Sequence, residues 1–262
     1  MTFVAQDFFE ASQNALPNLN QTDRELFEYV VKNMDKVKKM SIQKFAAERF
    51  LSTTTIFRFT QRLGFLGYSD FINSLLVTSH QSKDIEIPNV LHKKIYSEEY
   101  LKNIMEAVRV MPVDLVAKVM EILEPLPKLY ILTDEHTSPI GQYSEKLFMG
   151  LGFSVYFPEA NYQIQALSDA IKTGDVVIAL SYRGDDPVLM DLIKRILVNE
   201  KPFLLSITRA ENNELENLSD ANFYVFAEEI RINGMDLTSN VPILTVLELL
   251  AYEYLACSSD PK

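Results

Sequence analysis

The chain has 262 residues, 47% of them hydrophobic and 23% charged, a globular composition with enough apolar material for one or two cores. Its formal net charge of −11 argues against nucleic acid spread over the whole surface, and a single cysteine, Cys257, excludes an intrachain disulfide. No apolar run approaches the roughly 20 residues of a bilayer span, and Met1–Asp7 lacks the basic and apolar regions of a secretory signal, so a reducing cytoplasm is the expected location.

The charge is unevenly placed. Residues 22–78 hold nine Lys and Arg against six Asp and Glu, a net of +3 that leaves −14 on the remainder. Residues 1–78 read as helical, with no alternating β-branched run. The polar stretch 79–93, which contains Pro88, reads as a linker. Helices are expected over about 95–110 and 113–123, parted by Pro112. Beyond residue 127, five short apolar runs alternate with amphipathic segments: 129–132, 153–157, 176–180, 203–207 and 223–226. Continuous rather than alternating apolar runs mark strands buried on both faces, hence a parallel sheet in a three-layer αβα domain. Cys257, near the end of an apolar helical pattern, reads as a small buried thiol rather than a nucleophile.

The most informative segment runs from Ser41 to Gly64. Ser41 and Ser52 can each cap a helix through a hydroxyl that accepts an early backbone N–H. The first helix has an apolar face of Ile42, Phe45 and Ala46, and in the second Ile56, Phe59 and Leu63 form one buried stripe. The other face of the second helix presents Thr53, Thr54, Arg58, Gln61 and Arg62, and Gly64 stands where a helix ends. Short hydroxyl side chains at a helix start permit close approach to base edges, and Arg or Gln a turn later can reach bases or phosphates. A solvated face behind a good cap explains the same local pattern.

With its surroundings, Leu16 to Glu25, Thr55 to Phe59 and Arg62-Leu63-Gly64-Phe65-Leu66-Gly67-Tyr68-Ser69-Asp70-Phe71, the segment resembles the helix-turn-helix of the RpiR family of bacterial regulators. The resemblance implies that Ser52, Thr53, Thr54, Thr55, Arg58 and Gln61 face the major groove of a double-stranded operator. Arg62 and Lys44 would contact phosphate and fix register. One such module binds weakly, so a homodimer or homotetramer on a two-fold related site is expected.

The residues after about 105 resemble a SIS domain, the sugar isomerase fold, which implies a five-stranded parallel sheet and a sugar-phosphate effector at its carboxyl ends. The division is then 1–78 for the helix-turn-helix domain, 79–104 for the linker and connecting helix, and 105–262 for the effector and oligomerisation domain. By the same resemblance Thr137, Ser138, Ser181, Arg183, Gly184, Asp185 and Ser239 are the candidate ligand contacts. Two loops depart from the family pattern. Where it has Gly-x-Gly-x-Ser, this chain has Thr133-Asp134-Glu135-His136-Thr137-Ser138, and Arg183 replaces the second serine of Ser-x-Ser-Gly-Glu/Asp. Each acid beside a phosphate dianion would cost on the order of 1 kcal/mol or more. Either Arg183 compensates, or the pocket has lost its preference for phosphate and the domain dimerises or senses another ligand.

His136 could be a general base, but no second histidine supports that role and an exposed loop histidine is the better account. No metal-ligand spacing and no phosphate-loop fingerprint is present in the sequence, so neither a metal nor a cofactor is expected. The expected function is a transcriptional regulator, a repressor of carbohydrate-metabolism genes. A sugar-phosphate isomerase with a helical appendage is the alternative.

Overall fold

The computed structural model describes residues 8–12, 15–81, 94–158 and 169–259. The chain divides into two compact units, Met1–Lys102 and Asn103–Lys262. Residues 1–7, where no secretory signal was expected, and residues 82–93 of the linker expected over 79–93 lie outside the described residues.

The first unit is all helical. It contains α1 (Phe8–Ser12), a 3-10 turn (Leu16–Asn18), α2 (Gln21–Lys32), α3 (Met34–Val37), α4 (Ile42–Glu48), α5 (Thr53–Arg62) and α6 (Tyr68–Gln81). Phe8, Phe27, Phe45, Phe59 and Phe71 are fully buried, and their rings interlock: Phe8 stacks on Phe27 at 5.5 Å and Phe59 meets Phe71 edge-on at 6.1 Å. Burying each such ring contributes roughly 1.5–3 kcal/mol, so the aromatic cluster fixes how α5 lies on α6. The last helix continues to Gln81, three residues past the point where the sequence turns polar. The helix α7 (Lys94–Arg109) contains the division between the units.

The second unit continues with α8 (Val113–Leu123), β1 (Leu129–Thr133), α9 (Ser138–Gly150), β2 (Val155–Tyr156) and β3 (Val176–Leu180). It is completed by α10 (Pro187–Asn199), β4 (Phe203–Arg209), α11 (Glu214–Leu218), β5 (Ala221–Val225), β6 (Arg231–Ile232), β7 (Met235–Asp236) and α12 (Val241–Ser259). β1 to β5 form one parallel sheet in the order β2-β1-β3-β4-β5. Alternation along each strand sends Leu129, Ile131, Val176 and Ile178 into a core shared with α8, α9 and α12, while Tyr130, Leu132, Val177 and Ala179 meet α10. That is the expected three-layer arrangement.

Two expectations are corrected here. Cys257 is exposed, because the C-terminal turns of α12 extend beyond the core that covers the helix's first half. The stretch Val241–Ser258 is also long and apolar enough, by length and composition, to cross a bilayer, contrary to the reading that no run approaches that length. Its Ile243, Val246, Leu247, Leu250, Ala251 and Tyr254 are buried in the core of the αβα domain, and the stretch carries Glu248 and Glu253, so α12 is a core helix.

Candidate functional site

Ser41 Oγ accepts the Lys44 amide at 3.2 Å and Ser52 Oγ accepts the Thr55 amide at 3.1 Å, so both caps form. Ile56, Phe59 and Leu63 are buried. Gly64 sits at φ +96°; its amide bonds Gln61 O at 3.0 Å and that of Phe65 bonds Thr60 O at 3.0 Å, the paired closure that ends a helix on a left-handed residue. Burial of the stripe and closure of both ends fix the rotation of α5. Thr53, Thr54, Arg58 and Gln61 therefore stand in solvent, with Lys44 exposed on α4. The Ser52 hydroxyl is occupied by its cap and by the Thr55 hydroxyl at 2.9 Å.

Arg62 is placed differently from its expected phosphate contact. Its Nη2 donates to Asp23 Oδ1 at 2.8 Å and its Nε lies 2.7 Å from Oδ2. The Asp23 side chain is 1% exposed and that of Arg62 41%. A buried carboxylate needs a charged partner, so Arg62 first braces α2 against α5. Phe57, absent from the sequence candidates, is exposed on α5 beside Gly67, where an added Cβ would lie 3.3 Å from its ring. Phe50, in the turn before α5, is 97% exposed and holds φ +55°, a left-handed conformation unfavourable to an aromatic residue.

The second unit carries a cleft of about 710 Å³ at the carboxyl ends of β1 and β3, where the strand order reverses. Five carboxylates (Asp134, Glu135, Asp185, Asp186 and Asp236), two guanidiniums (Arg183 and Arg231) and His136 line it. Asp186 is spent on the cap of α10, accepting the amides of Val188 at 3.1 Å and Leu189 at 2.8 Å. Burial would raise the Asp236 carboxyl, but bonds from the Thr238 hydroxyl and amide, with the charges of His136 and Arg183, hold it below the ordinary range.

Of the candidate ligand contacts, Arg183 and Asp185 line the cleft. Thr137 and Ser181 are buried beneath it, bonded to the Asp134 carboxylate: Oδ1 accepts the Thr137 amide at 2.8 Å and Oδ2 accepts the Ser181 hydroxyl at 2.6 Å. Gly184 is buried at φ +66° and donates its amide to Ser181 Oγ at 3.1 Å; an added Cβ would meet Asn213 Oδ1 at 2.1 Å. Ser239 accepts the Val241 amide at 3.3 Å at the start of α12, and Ser138 is the first residue of α9. His136 is half-buried rather than an exposed loop residue. Its Nε2 lies 2.9 Å from the Thr238 carbonyl, an acceptor only, so this nitrogen carries the proton.

One wall of the cleft was missed in the sequence. The β6–β7 hairpin places Arg231, Met235 and Asp236 over the opening. Asn233 and Gly234 both have positive φ, 54° and 80°, a two-residue I′ turn whose Asn-Gly signature was present in the sequence.

A helix-turn-helix with an outward polar face in one unit and a strand-end cleft in the other are the parts of a two-domain regulator of transcription. Residues 8–81 match the helix-turn-helix domain of the rpiR family and residues 122–252 match the SIS domain, and the chain belongs to this RpiR-type, SIS-containing family. It is 24% identical over 257 residues to an uncharacterized HTH-type transcriptional regulator of Clostridium perfringens (strain 13 / Type A), covering 93% of this chain and 90% of the relative. It is 21% identical over 238 residues to the HTH-type transcriptional regulator GlvR of Bacillus subtilis (strain 168), covering 90% of each. The fold is similar to that of the Vibrio vulnificus NanR protein complexed with ManNAc-6P, with a TM-score of 0.56 and 17% identity over 96% of this chain and 92% of that one.

Proposed function

We propose that the chain represses carbohydrate-metabolism genes as a homodimer or homotetramer, with operator affinity set by a sugar-derived effector in the strand-end cleft. One observation carries the reading: α5 is capped, locked in rotation by its buried stripe, and turns Thr53, Thr54, Arg58 and Gln61 outward together. Thr53 to Thr55 with Arg58 and Gln61 would read base edges, Lys44 would contact phosphate, and Phe57 offers apolar surface to a thymine methyl group. Arg183 and Asp185 are the proposed effector contacts. The NanR complex with ManNAc-6P and the SIS match support a sugar-derived effector. Regulation rather than isomerisation is favoured by the relatives' names and by the tie of His136 to Thr238.

The test measures affinity of the full chain for its selected duplex while a panel of sugars, amino sugars and their phosphates is added. A several-fold shift by one member, abolished in Arg183→Ala, is the expected result. A panel that changes neither duplex affinity nor melting temperature would remove the effector half of the reading.

A further inference from the structure

We infer that the Asp134 carboxylate is a built-in anion that fills the hydroxyl and amide cradle between β1 and β3, so the effector is bound without a phosphate in that cradle. The inference deepens the proposed function and rests on its assignment of the cleft as the effector site.

The donors identify the cradle. The Thr137 amide, which closes the turn into the 13-residue helix α9, and the Ser181 hydroxyl converge on one point from two strand ends, with the Thr137 hydroxyl beside them giving its one proton to the nearer Leu180 O. Both side chains are buried, Thr137 fully and Ser181 to 1% exposure, and such donors beside a helix start suit an anionic group. Asp134 supplies that group from within the chain. One oxygen takes the Thr137 amide at 2.8 Å and faces its hydroxyl at 2.9 Å; the other takes Ser181 at 2.6 Å. The Thr137 hydroxyl also reaches Leu180 O at 2.6 Å, and Ser181 Oγ accepts the Gly184 amide at 3.1 Å. With the cradle satisfied, an arriving phosphate would meet a carboxylate rather than free donors.

The rest of the lining agrees. Arg183 lies 3.9 Å from Asp185, and Arg231 lies 3.9 Å from Asp236, so each cation in the cleft has an acid beside it. Sugar hydroxyls, or a protonated sugar amine, match this wall better than a dianion does. Asp134 is therefore a specificity-determining residue, and the ligand class is an uncharged or amine-bearing sugar.

The experiment uses the full chain with inorganic phosphate, a hexose 6-phosphate and the matching free hexose, followed by calorimetry and melting temperature. Wild type should show no saturable phosphate binding at millimolar concentration and no preference for the phosphorylated hexose. Asp134→Ser, which empties the cradle, should gain roughly tenfold or more in phosphate affinity. Asp134→Asn keeps the bulk without the charge; if the serine variant fails to fold, a phosphate gain in the asparagine variant decides the matter. Saturable phosphate binding by wild type that weakens on either substitution would overturn the inference, as would folded variants with no gain. A phosphate gain with no change in duplex affinity would keep the Asp134 assignment while removing the effector reading of the cleft.

Discussion

Arg58 and Arg62 lie one helical turn apart on α5, and replacing each by alanine separates reading DNA from bracing the fold. Arg58 is exposed, and among the described residues no hydrogen bond or ion pair engages its side chain. Its loss should leave stability within about 0.5 kcal/mol and weaken the selected duplex by about 1–3 kcal/mol if it reads a base bidentately. Arg62→Ala leaves Asp23 buried without its partner. The full cost of stripping a buried ion pair is about 3–5 kcal/mol; with the guanidinium partly in water, roughly 1–3 kcal/mol is expected here. Adding Asp23→Asn should recover much of that loss, because the stranded charge is removed. Urea unfolding measures the stability, and fluorescence anisotropy on selected and random duplexes measures the reading. If Arg58→Ala destabilised the fold as much as Arg62→Ala, or Arg62→Ala left stability unchanged, the assignment of reader and brace would be wrong.

Four further outcomes follow from particular atoms. Phe50→Gly should stabilise the first unit by roughly 0.5–1 kcal/mol in thermal melts, since it relieves a left-handed aromatic residue with almost no packing to lose. Gly184→Ala should destabilise the second unit by roughly 2–4 kcal/mol in urea unfolding, because φ +66° and the Asn213 side chain both exclude a Cβ. Burial pushes the Tyr68 hydroxyl, which donates to Met40 O at 3.1 Å, up to about 12. The raised folded value means that its stability contribution is intact below the ordinary tyrosine value of 10.0 and is lost as pH climbs from there towards 12; Tyr68→Phe should flatten that alkaline decline in pH-dependent melts. Cys257 in the folded chain should react with a thiol reagent as fast as a free peptide does, and Cys257→Ser should leave the melting temperature unchanged.

How much the sequence disclosed depended on the range of the interaction. The caps at Ser41 and Ser52, the stop at Gly64 and the apolar stripe of α5 are local, set by residues within one turn, and all were legible. The same holds for β1, β3, β4 and β5, whose apolar runs announce burial on both faces, whereas the run at 153–157 forms only the two-residue edge strand β2, with Tyr156 exposed. Arg62 was misplaced because its partner lies 39 residues away, and helical periodicity places a side chain on a face without naming what else meets it. The engagement of Ser181 by Asp134 was likewise hidden, since 47 residues separate them, whereas the bond from the Thr137 amide spans only three residues. Cys257 misled because the apolar pattern of α12 outlasts the core that buries it. The hairpin over the cleft was readable from Asn233-Gly234 between Arg231-Ile232 and Met235-Asp236, and was overlooked because its strands are only two residues long.

The central claim is that the outward face of α5 reads duplex DNA. Selection of bound duplexes from a random pool by the full chain, followed by affinity measurements at several salt concentrations, tests it most directly. The account predicts a two-fold related motif bound at least a thousandfold more tightly than random duplex, with that preference largely lost in Thr54→Ala combined with Arg58→Ala. Enrichment of no motif by a folded chain, or a motif bound equally well by the double variant, would contradict it.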